Sequence, residues 1–263
     1  MLTVANGDVT LHCQLSGAAT PSAPTLLVAN SLGTDLRIWD AVAARLDPAI
    51  RLIRYDKRGH GLSALTPAPY AMADHIADLQ AIRQTLTNGP VHLAGVSVGG
   101  MIALGAAGQA APVSLSLMDT GYRIGTAEMW DTRIAALERD GIEALAEPIL
   151  ERWFSAHYRS QQPGPVALYR AMLTRTPLEG YLGTCAALRD ATLETVARAL
   201  SCPTLCLVGS EDGATPPAVV QDLAAAITGA RYQEIAGAGH LPMIERPDQV
   251  AVILNQQVLG TNG

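Results

Sequence analysis

The chain has 263 residues, 49% of them hydrophobic, so one large domain with a substantial buried core is available. Its 24 glycines and 16 prolines follow no period, which excludes collagen-like and low-complexity material. The formal net charge is -6, and the 18 basic residues, seventeen arginines and Lys57, form no cluster, which argues against a nucleic-acid surface.

In chain order, residues 8–16 alternate polar and apolar and predict an early strand near a sheet edge. Thr25 to Asn30 is a short apolar run ending in polar residues, as expected of a central strand feeding a loop, here SLGTD. A helix is expected around Leu36 to Leu46, and a strand over Arg51 to Tyr55 that ends in the turn-forming DKRGHG. Ile76, Leu79, Ile82 and Leu86 have helical spacing, which Asn88-Gly89-Pro90 stops. Strand, small-residue helix and strand then follow at Val91 to Val96, from Met101 and at Val113 to Met118. This rhythm implies βαβ units and a largely parallel sheet.

Residues 122 to about 188 break the rhythm: they read as helices without a strand and contain Trp130 and Trp153. The rhythm resumes with a strand at Thr204 to Val208, a helix at Pro217 to Ile227, a strand at Arg231 to Ile235 and a helix at Pro247 to Leu259. The reading is an α/β body over 1–120 and 189–263, with a helical cap over 121–188 inserted between strands.

The strongest local signal is Gly95-Val96-Ser97-Val98-Gly99-Gly100, between an apolar strand and an apolar helix. A nucleophilic hydroxyl must project there from a tight turn, and glycines two residues either side remove side chains that would collide. A serine needs a base and a group that orients the base. His240, in the loop AGAGHLPMIERP after the last predicted strand, is the candidate base. The other histidines lie in strands (His12, His92), in the RGHG turn (His60), near a helix start (His75) or in the insertion (His157). Asp212, just past a predicted strand, is the candidate acid. Glu211 is a weaker neighbour, and Asp119, at the end of the strand after the nucleophile helix, is the main competitor. The order Ser, Asp, His is the one expected for this fold. Backbone N–H groups of Leu32 and Val98 are the candidate oxyanion donors. Asn30, Ser31 and Gly33 are expected to shape the first of these loops.

With these motifs the chain resembles the α/β-hydrolase superfamily over nearly its whole length. Within it, the chain is similar to the 3-oxoadipate enol-lactonases. The stretches that carry the resemblance include NSLGTDLRIWD at 30–40, RYDKRGHGLS at 54–63, GYRIGTAEMWDTRIAALERDGIEALAEPILERWF at 121–154 and TPLEGYLGTCAALRDATL at 176–193. Asn30 and Ser31 stand where many superfamily members have histidine and glycine, and Val98 where Met or Gln is common. The resemblance implies Ser97, Asp212 and His240 as a triad, a small anionic lactone as substrate, and no cofactor or metal. The substrate's carboxylate calls for a cation: Arg133, one helical turn from Trp130, is the first candidate, with Arg37, Arg58 and Arg123 as alternatives. An esterase or C–C hydrolase on the same body, and a binding protein that retained the fold, are the competing readings.

The cysteines Cys13, Cys185, Cys202 and Cys206 lack the spacing of a zinc site or redox pair and are expected as free thiols. The N-terminus has no basic n-region and no apolar stretch reaches transmembrane length, so a soluble, cytoplasmic protein without a membrane partner is expected.

Overall fold

The structure, a computed structural model, describes residues 1–20 and 22–260. Eight strands form one sheet: β1 (Leu2–Asn6), β2 (Val9–Gly17), β3 (Thr25–Ala29), β4 (Arg51–Tyr55), β5 (Val91–Val96), β6 (Ser114–Met118), β7 (Thr204–Gly209) and β8 (Arg231–Ile235). Their spatial order is β1-β2-β4-β3-β5-β6-β7-β8. The β1–β2 and β2–β4 pairs are antiparallel and all others parallel. Every residue of β3, β5, β6 and β7 is buried, as strands covered on both faces require. The predicted early strand is β2, but the edge belongs to β1, which pairs with it through a turn at Gly7. Sequence reading placed no strand over 2–6, a run of only five residues before the turn.

The helices are α1 (Asp40–Ala43), α2 (Met72–Leu86), α3 (Val98–Gln109), α4 (Ala127–Ala144), α5 (Ala146–Trp153), α6 (Ala156–Gln161), α7 (Pro163–Thr174), α8 (Leu178–Asp190), α9 (Glu194–Ala199), α10 (Pro217–Ala226), α11 (Pro242–Glu245) and α12 (Pro247–Leu259). The helix expected over Leu36 to Leu46 is instead a 3-10 turn, Leu36–Trp39, followed by the single turn of α1. Asp35 caps that turn by accepting from Arg37 N–H, and the Trp39 indole donates to Asn30 Oδ1 at 2.9 Å.

Six helices, α4 to α9, lie in the chain between β6 and β7; α4 to α8 form the inserted layer, and their apolar residues join the body's core. Glu245 ties this layer to the body from α11: its carboxylate accepts from Ser155 N–H, Ser155 Oγ and Gly239 N–H. The four cysteines are free and buried. Among the described residues no helix is long and apolar enough to cross a membrane.

Candidate active site

The loops that leave the C-terminal ends of the parallel strands meet over the middle of the sheet, where open α/β sheets place their sites. Ser97 sits between β5 and α3 with φ 59°, a backbone conformation that a non-glycine residue adopts only when its surroundings impose it. Its N–H donates to Met118 O at 3.0 Å, and Thr120 Oγ1 donates to Ser97 O at 2.7 Å. The flanking glycines are steric necessities: a Cβ at Gly95 would meet Gly99 O at 2.1 Å, and one at Gly99 would meet Ala29 O at 2.3 Å.

His240 and Asp212 reach this point from the loops after β8 and β7. His240 Nδ1 lies 2.9 Å from Asp212 Oδ2, and both side chains are almost fully buried. Asp212 also accepts from Ala214 N–H at 2.7 Å, Thr215 N–H at 3.0 Å and Thr215 Oγ1 at 2.7 Å. Burial pushes this carboxyl toward its neutral form, but His240 and the bonds from His240 and Thr215 outweigh that and hold it below the usual range. A carboxylate held ionised against a histidine's Nδ1 orients the ring with Nε2 free for the nucleophile.

Asp119, the competitor from sequence, reaches the same cluster without that role. One acceptor atom each from Asp119, Asp212 and His240 lies within 4.8 Å of the others. The imidazole pairs with Asp212, however, while Asp119 Oδ1 accepts from Gly209 N–H at 2.8 Å and, among the described residues, Oδ2 has no hydrogen-bond partner. Burial, then the charge of Asp212, raise the Asp119 carboxyl well above the usual range and favour its protonated form. Such a trio of ligating groups could meet a cation, but His240, Asp212 and Thr215 already satisfy one another.

Ser97 and His240 line one cavity of about 70 Å³ together with Leu32, Trp130, Arg133 and Arg152. A wider cleft of about 680 Å³ lies against Asp35, Arg37 and α7, but none of Ser97, Asp212 and His240 lines it. Chemistry, not size, therefore selects the smaller cavity. Val98 opens α3, so its N–H has no acceptor within the helix. Leu32 lies in the loop after β3, where Gly33 has φ 71°. Among the described residues the Leu32 N–H has no acceptor either.

The cap side is aromatic and cationic. Trp130 is buried, its indole donating to Ile124 O at 2.7 Å, and the Arg133 guanidinium lies over its ring at 5.5 Å. Arg152 comes from the end of α5. Among the described residues neither Arg133 nor Arg152 pairs with a carboxylate. Of the alternatives, Arg37 pairs with Asp35 and Arg58 with Asp78, and neither they nor Arg123 line the cavity. Sequence reading missed Arg152, whose signal was its place beside Trp153 in the cap. It also missed Thr215, three residues past Asp212. Four other histidines serve the scaffold: His12, partly exposed, meets Asp56, and among the buried ones His92 meets Ser114, His75 meets Thr184, and His60 Nε2 accepts from Gly33 N–H.

Comparison with known proteins gives the family. The chain is 30% identical to 3-oxoadipate enol-lactonase 1 of Acinetobacter baylyi over 97% of its length and 95% of that protein's. The crystal structure of the enol-lactonase from Burkholderia xenovorans LB400 superposes with a TM-score of 0.94, at 34% identity, covering 98% of this chain and 100% of that one. A malate-bound thermophilic esterase from Thermogutta terrifontis follows at 26% identity and a TM-score of 0.89, covering 98% of each chain. The model of the alpha/beta hydrolase family matches residues 18–253, and the chain belongs to that family as a hydrolase.

Proposed function

We propose that this hydrolase opens the ring of 3-oxoadipate enol-lactone (4,5-dihydro-5-oxofuran-2-acetate) to give 3-oxoadipate, in the β-ketoadipate route of aromatic-compound degradation in the cytoplasm. Residues 1–120 and 189–263 act as the catalytic body and 121–188 as the cap. The observation that carries the reading is a small cavity lined by Ser97, His240, Arg133 and Arg152, the two arginines having no carboxylate partner among the described residues. The similarity to two enol-lactonases supports the same substrate.

Ser97 Oγ attacks the lactone carbonyl while His240 takes its proton. The oxyanion forms between the Leu32 and Val98 N–H groups. As the tetrahedral centre collapses, the ring C–O bond breaks and the leaving oxygen departs as an enolate. His240 returns the proton, and the enol becomes a ketone, which draws the opening forward. Water, deprotonated by His240, then attacks the acyl-serine and releases the new carboxylic acid. Asp212 keeps the imidazole in register throughout and stabilises its charged form. The substrate's acetate carboxylate sits against Arg133 and Arg152, with Trp130 as the apolar wall. No step needs a cofactor or a metal.

An esterase acting on a small acidic ester is the second reading, favoured by the similarity to the Thermogutta esterase. A panel of the enol-lactone, a p-nitrophenyl ester and a ring-cleavage dienone separates these. The expected result is the highest kcat/KM on the lactone. Strong turnover of another member with failure on the lactone replaces the proposed substrate.

A further inference from the structure

The loop after β3 is held by three side chains from the loop after β4. Asp56 Oδ1 accepts from Leu36 N–H at 2.8 Å and His60 Nε2 from Gly33 N–H at 3.1 Å. Lys57 Nζ donates to Ser31 O at 2.7 Å and to Thr34 O at 3.3 Å. Lys57 is the only lysine in the chain and is 1% exposed. Its acidic neighbours are engaged elsewhere, Asp56 with His12 and Leu62 N–H, Asp35 with Arg37. Burial pulls its pKa from 10.5 down to about 7, against the opposing pull of Asp56 and Asp35. The other titratable groups facing it, His60 and His75, have their pKa lowered by burial first and then by Lys57.

Peptide geometry gives this buried amine a task. The Ser31 carbonyl and the Leu32 N–H are the two ends of one planar trans unit and point in opposite directions. Lys57 holds the carbonyl end, so the N–H end is directed away from Lys57, and Leu32 lines the cavity with Ser97. Ser31 O also accepts from Thr34 N–H at 3.3 Å and Thr34 Oγ1 at 2.8 Å. Those bonds stay within the loop and would move with it. Lys57 is the donor that ties this peptide to the body. A donor on the carbonyl oxygen also polarises the amide and strengthens its N–H as a donor, more so when charged.

We propose that Lys57 is a positioning residue for catalysis, orienting and polarising the Ser31–Leu32 peptide so that Leu32 N–H meets the negative charge that develops on the substrate carbonyl. This rests on Ser97 being the nucleophile. The interaction strengthens as the tetrahedral intermediate forms, so its loss lowers kcat and leaves KM nearly unchanged.

The test compares wild type, S97A, Lys57→Met and Lys57→Gln on p-nitrophenyl acetate, a neutral ester that makes no demand on the arginines. Affinity for an aryl trifluoromethyl ketone, which forms a hemiketal oxyanion on a serine, is measured alongside. Deleting an oxyanion donor outright costs about 10²–10³ in kcat, so misdirecting one is expected to cost about 10- to 100-fold in Lys57→Met. KM should stay within about twofold, ketone affinity should fall in parallel with kcat, and Lys57→Gln should recover part of both. A folded Lys57→Met enzyme with wild-type kcat, or a loss carried by KM, overturns the proposal. If S97A retains ester turnover, the nucleophile assignment fails and this inference falls with it; if S97A is inactive and Lys57→Met is not impaired, only this inference falls. A measurement on wild type covers variants that do not fold. Lysine labelled with ¹³C at Cε gives one side-chain signal, whose titration midpoint should rise when the ketone adduct forms; an unchanged midpoint counts against the proposal.

Discussion

The two sides of the cavity are built differently. On the body side every group that would act on the scissile bond is buried and pinned: Ser97 by a tight turn and two backbone bonds, Asp212 by Thr215, Ala214 and His240. On the cap side Trp130 is fixed, but Arg133 is half-buried, Arg152 is exposed, and neither has a carboxylate partner among the described residues. A pinned group is ready for a reaction whose geometry never changes. An unpaired arginine in a pocket wall is ready for an anion that comes and goes. Chemistry and substrate choice are therefore separable, and variants should divide along the same line.

The largest effect is expected on the body side. S97A should lower kcat on every substrate by about 10⁶, as loss of the nucleophile does in serine hydrolases. Far-UV circular dichroism and the melting temperature should remain near wild type, because the side chain adds little to the core. Residual turnover of any ester above about one part in a thousand would move the nucleophile elsewhere.

D212N comes next. It keeps the shape but removes the charge that holds His240, and a drop of about 10⁴ in kcat is expected. D119N should change kcat by no more than a few-fold, since Asp119 does not pair with His240 and, among the described residues, its Oδ1 accepts only from Gly209 N–H. Steady-state kinetics of the pair decides the matter, and the opposite ranking would exchange the two assignments.

This division also explains what could be read from sequence. The body was legible because its demands are local. Glycines around Ser97, apolar runs of strand length and polar residues just past them are written within a few positions of one another. Lys57 was not legible. A lysine in DKRGHG reads as a solvated turn residue, and only the approach of the Ser31 and Thr34 carbonyls from another strand's loop shows why it is buried. The cap was legible as helices, and helical spacing put Arg133 on the face of Trp130. It did not show that the end of α5 turns Arg152 toward the same space, because that direction depends on how α5 packs on the body. Beside Phe154 and Tyr158, Arg152 reads equally well as a surface residue.

On the cap side the expected effects are smaller and selective. R133A and R152A should each raise KM for the enol-lactone by about tenfold or somewhat more, the value of a hydrogen bond to a charged group. Turnover of p-nitrophenyl acetate should be nearly unaffected. Equal losses on the anionic and the neutral substrate would show that these arginines hold the cap in place and do not bind the carboxylate.

The smallest effect tests a body residue beside the triad that departs from the pattern. Asp119 is fully buried, its Oδ2 without a hydrogen-bond partner among the described residues, beside Asp212. Its carboxyl is raised in the folded state, so from just above the unfolded value of about 4 the folded chain binds a proton that the unfolded chain releases. Stability linked to this group is fully present below the unfolded pKa and is lost as pH rises toward the folded one. Asp212 runs the other way: its carboxyl is lowered, so its contribution is present above the unfolded value and is lost as pH falls through the folded one. D119N removes the first of these trends and keeps the second. Urea unfolding of wild type and D119N between pH 5 and pH 8 should show the variant gaining relative stability as pH rises. A constant difference across that range would mean that Asp119 carries no proton at neutral pH and that two charges share the space behind His240.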